Sequence, residues 1–241
     1  MKILKDIIAS LDCDAKVTDI RQGMFHTGVV TRNCGLAATL PRDALKQMPP
    51  LVEEPGFLLE KSARELVDMV YKESILEAAI GMAAINSLID IDDSKCSELN
   101  ARELIMEKGK GKNIAIIGHF PFIPKLREIA GNLWVIEKNP RPGDYSEESA
   151  KDLIPEADVL AITGTAITNH SIEDLLKLKK KSTFTVVLGD SAVLSPVLFD
   201  YGIDAIAGTK VVDAELALRC VSQGANFRQI KGTRRLVMKK E

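Results

Sequence analysis

The residues of this chain best suited to chemistry are two histidines, His119 and His170, and a recurring set of glycines beside small hydroxyl residues. His119 follows Gly118 at the end of the apolar run Ile114 to Ile117. Phe120 and Phe122 come next, interleaved with Pro121 and Pro124. Imidazole titrates near pH ~6.5, which suits proton transfer, and it also binds transition metals. Glu137 and Asp144 are carboxylates that could orient His119 or bind polar groups of a ligand. Thr163-Gly164-Thr165 and Gly189-Asp190-Ser191 place glycine where a loop must turn sharply, and hydroxyls where a ligand meets the backbone. The segment Thr163 to Asn169 leads into a helix start. Its free N–H groups and hydroxyls would favour an anionic or carbonyl group, although simple capping by Thr168, Asn169 or Ser171 explains the same residues. His26 lies apart, in an N-terminal hairpin region.

Two kinds of chemistry are disfavoured by spacing. No H-x-x-x-H, C-x-x-C or clustered-carboxylate motif appears, so a metal site would have to be assembled from distant segments such as His119, His170 and an acid. Glu137 stands 19 residues after Gly118, the distance at which an acid holds a ribose hydroxyl in dinucleotide-binding folds. Yet Gly118-His119-Phe120-Pro121-Phe122 is not the G-x-G-x-x-G turn that lets a backbone hug a pyrophosphate. Classical NAD binding is therefore not expected. A metal ion, or a smaller nucleoside-type or heterocyclic ligand stacked on Phe120 or Phe122, stays open as a cofactor.

These residues need a scaffold that brings strand ends together. Ile114 to Ile117 lacks polar alternation and reads as a strand buried on both faces, as in a parallel sheet. From there strands are predicted at 113–118, 133–137, 158–163, 184–188 and 204–207, with a weaker one at 234–238. Helices fit between them at 124–130, 146–153, 171–180, 195–201 and 212–223. The alternation predicts a doubly wound parallel sheet with helices on both faces, and the candidate residues fall at the carboxyl ends of its strands, where such sheets bind ligands. The first 95 residues differ. An opening helix at 2–11 precedes two or three short antiparallel strands over 17–40, then an irregular, proline-rich connection over 41–60. Two helices follow, each with a Ser-x-x-Glu capping box, Ser62 to Glu65 and Ser74 to Glu77. A polar linker at 89–97 and a helix capped by Asn100 complete the join. The expected domains are 1–95 and 96–241.

Composition bounds the partners. The 241 residues include 46% hydrophobic and 27% charged residues with a formal net charge of −2. Basic residues gather only in the last segment (Lys231, Arg234, Arg235, Lys239, Lys240), so nucleic acid is not expected. Asp6 interrupts what would be the apolar stretch of a signal peptide, and no run is long enough to span a membrane. A cytoplasmic location follows as an expectation, which leaves the Asn169-His170-Ser171 sequon idle. Cys13, Cys34, Cys96 and Cys220 are scattered and read as small buried hydrophobes, without a disulfide framework or zinc ribbon. The expected partner is a small molecule, with further copies of the chain as an open alternative.

Four segments carry a resemblance to a known family: Gly118 to Phe122, Asn139 to Asp144, Thr163 to His170 and Ser195 to Asp204. They resemble the heavy-metal chelation family, long a domain of unknown function. The resemblance implies a Rossmann-like C-terminal domain preceded by a small α+β domain similar to the enolase N-terminal fold, with a site between the two. It also implies a role with metals or with chelators such as siderophores, pterins or flavins, by condensation or hydrolysis. One departure is visible: Asp190 puts a charge at the rim where the family pattern has proline. Three functions compete on this reading. One is an enzyme on a chelator-type heterocycle, with His119 as acid or base. Another is a non-catalytic metal or metal-chelate binder using His119 and His170. The last is a methyltransferase-like protein holding a nucleoside through Glu137.

Overall fold

The apolar run ending at Gly118 forms an inner strand of an eight-stranded sheet in the computed structural model, which describes residues 1–39 and 50–240. The chain opens with helix α1 (Lys2–Ala9), then strands β1 (Asp19–Gln22), β2 (His26–Val30) and β3 (Cys34–Ala38). These three pair in order as a small antiparallel sheet. Part of the expected irregular connection, residues 40–49, lies outside the described residues. Helices α2 (Ala63–Asp68) and α3 (Ile75–Leu88) follow, and α3 packs on β2 and β3. Its many small residues give it a helix buried nearly all round.

The two predicted capping boxes part company. Ser62 and Glu65 make both reciprocal bonds of a capping box. Ser74 does not cap: its hydroxyl donates to the carbonyl of Leu51, while Glu77 is buried and accepts from the N–H of Glu53. Tertiary partners from the preceding connection have taken over both side chains.

The linker is more ordered than its polarity suggests. It contains a 3-10 turn at Asp93–Lys95 and strand β4 (Cys96–Ser97), which pairs with the last strand of the chain. The second half then runs α4 (Ala101–Gly109), β5 (Asn113–Ile117), α5 (Ile123–Arg127), β6 (Asn132–Glu137), β7 (Tyr145–Ser146), α6 (Ala150–Leu153), β8 (Val159–Thr163), α7 (Thr165–Thr168), α8 (Ile172–Leu178), β9 (Phe184–Leu188), β10 (Ala205–Val211), α9 (Ala214–Ser222) and β11 (Thr233–Lys239). Each predicted strand of this half is present. The short β7 and the single-turn α7 were not predicted, and the expected helix at 195–201 is a 3-10 turn, Pro196–Tyr201.

The strand order is β4-β11-β10-β9-β8-β5-β6-β7. From β10 to β7 every pairing is parallel, and β11 runs antiparallel at the side of β10. Successive strands β5, β6 and β7 build outward one way, then β8, β9 and β10 build the other way. The order therefore reverses between β5 and β8, the kind of switch point where the loops part and leave a crevice. β5 is buried on both faces as expected: Ala115 belongs to the apolar cluster on one side of the sheet, Ile114 and Ile116 to that on the other.

The cluster on the Ala115 side is continuous with the N-terminal half, joining Ile3, Leu66 and Ile85 to Leu160, Val187 and Met238. α1 lies against the 3-10 turn Pro196–Tyr201, where the Lys2 ammonium is 3.0 Å from the Tyr201 hydroxyl, which itself donates to Asp6. The Ile3 N–H donates to Glu173 at 2.7 Å. The other end of the chain reaches the same turn, with the Lys240 ammonium 3.3 Å from the carbonyl of Phe199.

Candidate functional site

The rim is built by backbone constraints at the strand ends. Gly118 ends β5 with φ +104°, a left-handed conformation that other residues adopt at a cost, and a Cβ there would lie 3.1 Å from the Thr163 Cβ. Gly164 ends β8 where a Cβ would fall 2.3 Å from the Ala192 backbone nitrogen. The two glycines let the loops after β5, β8 and β9 close on one another. They bring Gly118, Thr163, Gly164 and Gly189 to a common mouth.

A cavity of about 670 Å³ opens at that mouth. His119, Phe120 and Phe122 form one side, Thr163 to Thr165 and Gly189 to Ser191 the floor, and Arg102, Lys125, Arg228 and Arg235 contribute cationic groups. The rings of Phe120 and Phe122 stack, with centroids 5.3 Å apart and planes at 20°. The Arg235 guanidinium sits 3.9 Å from the centroid of Phe227, and the Nε of Arg102 is buried without a hydrogen-bond partner. Apolar ring faces together with unspent guanidinium donors suit a flat, negatively charged molecule. A second cavity of about 390 Å³ lies beside it, lined by Glu137, Asn139, Arg141 and Asn169. His119, Phe120, Thr163 and Thr165 line both. A larger hollow of about 1050 Å³ lies elsewhere, under the linker, between Asp12, Arg32, Cys96 and Pro196; it includes none of these rim residues.

His119 is exposed between the two cavities, and its Nδ1 accepts from the Nη1 of Arg141 at 3.1 Å. An arginine only donates, so Nδ1 serves as acceptor and the neutral ring carries its proton on Nε2. The partner of His119 is thus a cation; neither Asp144 nor Glu137 pairs with the ring, contrary to the expectation of an orienting carboxylate. Asp144 acts one step away. It accepts from the Arg141 N–H at 3.1 Å and its own N–H returns to the Arg141 carbonyl at 2.9 Å. This closed turn presents Arg141 to His119. Arg141 lies inside the segment Asn139 to Asp144, but nothing local in the sequence ties it to a histidine in another loop.

His170 lies elsewhere. It adopts φ +65° and donates from Nε2 to the carbonyl of Val70 at 2.9 Å, close to the ring of Tyr71. It lines neither cavity and ties α7 to the N-terminal half. Asn169 lines the small cavity without capping the helix: its Oδ1 accepts from the N–H and hydroxyl of Ser171, leaving its amide donors toward the cavity. Among the described residues the buried Thr168 hydroxyl has no partner and caps nothing.

The third histidine supplies what sequence reasoning missed. His26, from β2, pairs through Nε2 with Asp190 Oδ2 at 2.8 Å, both side chains more than nine-tenths buried in the floor of the large cavity. The Thr209 hydroxyl donates to the other oxygen of Asp190. The neighbouring Ser191 hydroxyl accepts from the Ala38 N–H at 2.8 Å. The N-terminal sheet is thereby stitched to the loop after β9, and the cavity takes residues from both halves of the chain. A strand-end aspartate and a hairpin histidine so far apart in sequence carry no local signal of their pairing.

The donor set does not favour direct metal ligation. Among the described residues no three His, Cys, Asp or Glu side chains converge. His26 Nε2 and Asp190 Oδ2 are engaged with each other, and His119 and His170 face different surroundings.

Comparison with known proteins fits this arrangement. Models of two families, both described as "Putative heavy-metal chelation", match the chain: DUF364 over residues 100–240 and DUF4213 over residues 4–89. The chain belongs to the DUF364 family. A DUF364 protein of unknown function from Desulfitobacterium hafniense has a crystal structure that superposes with a TM-score of 0.85 at 25% identity, covering 99% of this chain and 98% of that one. Another, from Pyrococcus horikoshii, gives 0.84 at 26% identity with the same coverage. An uncharacterised protein of Methanocaldococcus jannaschii is 27% identical over 94% of this chain and 91% of its own length. The DUF364 match holds the whole parallel sheet and most of the rim, while His26 comes from the segment matched by the other model. Among the described residues no helix is long and apolar enough to cross a membrane.

Proposed function

We propose that the large cavity binds a small, planar, anionic molecule of the chelator or heterocycle type, and that His119 acts on it as a proton donor. The observation that carries this reading is the pairing of stacked Phe120 and Phe122 with the cationic groups of Arg102, Lys125, Arg228 and Arg235 around one 670 Å³ cavity. A pocket of that volume suits a drug-sized ligand. In this reading the link to heavy metals runs through a metal-binding small molecule that the protein makes or processes. The alternative of a non-catalytic metal binder is less well supported, since His119 and His170 do not converge. The strand order supports a Rossmann-like second half, and the antiparallel sheet backed by α3 supports an enolase N-terminal-like first half. The cleft between them, rimmed by residues of both, is the working site.

With Nδ1 engaged by Arg141, the Nε2–H of His119 is the group free to reach a ligand. The Asp144 turn holds Arg141 in place and so fixes the ring. Calorimetry with orotate, pterin-6-carboxylate and 2,3-dihydroxybenzoate tests the binding. At least one of these acids should bind, and Phe120→Ala or Arg235→Ala should weaken that binding about tenfold, the loss of one charge-assisted or stacking contact. No binding of any of the three, or equal binding by both variants, overturns the reading.

A further inference from the structure

We infer that the small cavity is a subsite for a sugar-like polyol, so that the protein's ligand is a planar anionic ring joined to a polyhydroxylated group across His119. This rests on the reading of the large cavity given above and adds the second part of the molecule.

Three observations carry it. The cavities are not independent: His119, Phe120, Thr163 and Thr165 form a wall common to both, so one molecule can occupy the two together. Their charge balance differs: cations predominate around the large cavity, whereas in the small one Lys138 and Arg141 are matched by Glu137 and Glu147. The large cavity is ringed by cations, and Asp190, its one carboxylate among the described residues, is engaged by His26 and Thr209. The small cavity has Glu137 at the end of β6, half-buried and, among the described residues, without an ion-pair or hydrogen-bond partner. A free carboxylate there accepts hydroxyl donors, and with its charges balanced this lining offers an anionic end less than the cationic large cavity does. Finally, Asn139 and the amide of Asn169 offer neutral donors on the same wall. A carboxylate acceptor with amide donors is the complement of neighbouring hydroxyls, each of which both gives and takes a hydrogen bond.

The position agrees with the topology. Glu137 ends the strand next to β5, beside the switch point, where an acid commonly holds sugar hydroxyls in open parallel sheets. The missing phosphate turn argues for a nucleoside-like or ribityl-like ligand and against a dinucleotide. Phe120 and Pro121 occupy the place of the phosphate-binding backbone.

Orotate and orotidine test this directly, because they share one anionic ring and differ only by the ribose. Calorimetry on the full chain should show orotidine binding about tenfold or more tighter than orotate. In Glu137→Gln that ratio should collapse toward one, and Asn139→Ala, at an exposed position, should reduce it as well. Equal affinity for the two in the wild type, or a ratio untouched by both variants, overturns the subsite while leaving the ring-binding reading intact. Failure of orotate, orotidine, pterin-6-carboxylate and 2,3-dihydroxybenzoate alike overturns the ring-binding reading and the subsite with it.

Discussion

His26 shows how a side chain gains its role from a partner half the chain away. Its bond to Asp190 is buried, and removing one member of such a pair leaves an uncompensated charge. His26→Ala should therefore cost about 3–5 kcal/mol in urea unfolding, whereas Asp190→Asn, which keeps an acceptor for the imidazole, should cost less. A loss below about 1 kcal/mol for His26→Ala would mean that the pair is solvated and only a surface contact. Cys34 gives a second prediction at this scale. Burial, with the Asp19 carboxylate nearby, pushes its thiol from 9.0 up to about 12. Folding thus favours the neutral thiol, so its stabilising contribution is full below the unfolded value and is lost as pH rises from about 9 toward about 12. The stability of the wild type should fall more steeply over that window than that of Cys34→Ala. The sequence reading of Cys34 as a small buried hydrophobe agrees with this environment. His26 was passed over because its partner could not be read from neighbouring residues.

The elements were legible where local rules decide them. Continuous apolar runs gave the buried strands, and Ser62 and Asn100 marked helix starts that hold. Local rules failed where a tertiary partner competes, as at Ser74, and where an element is too short to show a period, as at β7 and α7. The rim glycines were legible as a recurrence, but their purpose is mutual: Gly164 is small because the loop after β9 lies against it. Gly164→Ala should push that loop away, cost about 1–3 kcal/mol as overpacking does, and weaken ligand binding by widening the mouth. Wild-type affinity together with wild-type stability would show that the loops yield freely.

At the scale of the molecule, the apolar cluster shared by both halves binds α1 into the second half through Ile3, Leu4, Ile7 and Ile8. Each buried aliphatic of this kind contributes about 1.5–3 kcal/mol, so loss of the four exceeds the ~5 kcal/mol of a marginally stable fold. Removing residues 1–9 should leave a chain without a cooperative thermal transition by circular dichroism; a normal transition would make α1 an accessory. The order of the parallel strands followed from the rhythm of the sequence only as a class. Which loops meet His119 depended on packing between segments that have no local code.

Lys2 and Lys240 both touch the turn Pro196–Tyr201. The segments carrying Lys2 and Lys240 thus converge on one turn, while the mouth is framed by other loops. A short connector from Lys240 back to Lys2 would make this polypeptide circular, and a new opening in the exposed turn at Lys180 to Ser182, which lines neither ligand cavity, would leave every strand pairing intact. For this fold, the order in which the segments are joined is separable from the place where the ligand is held.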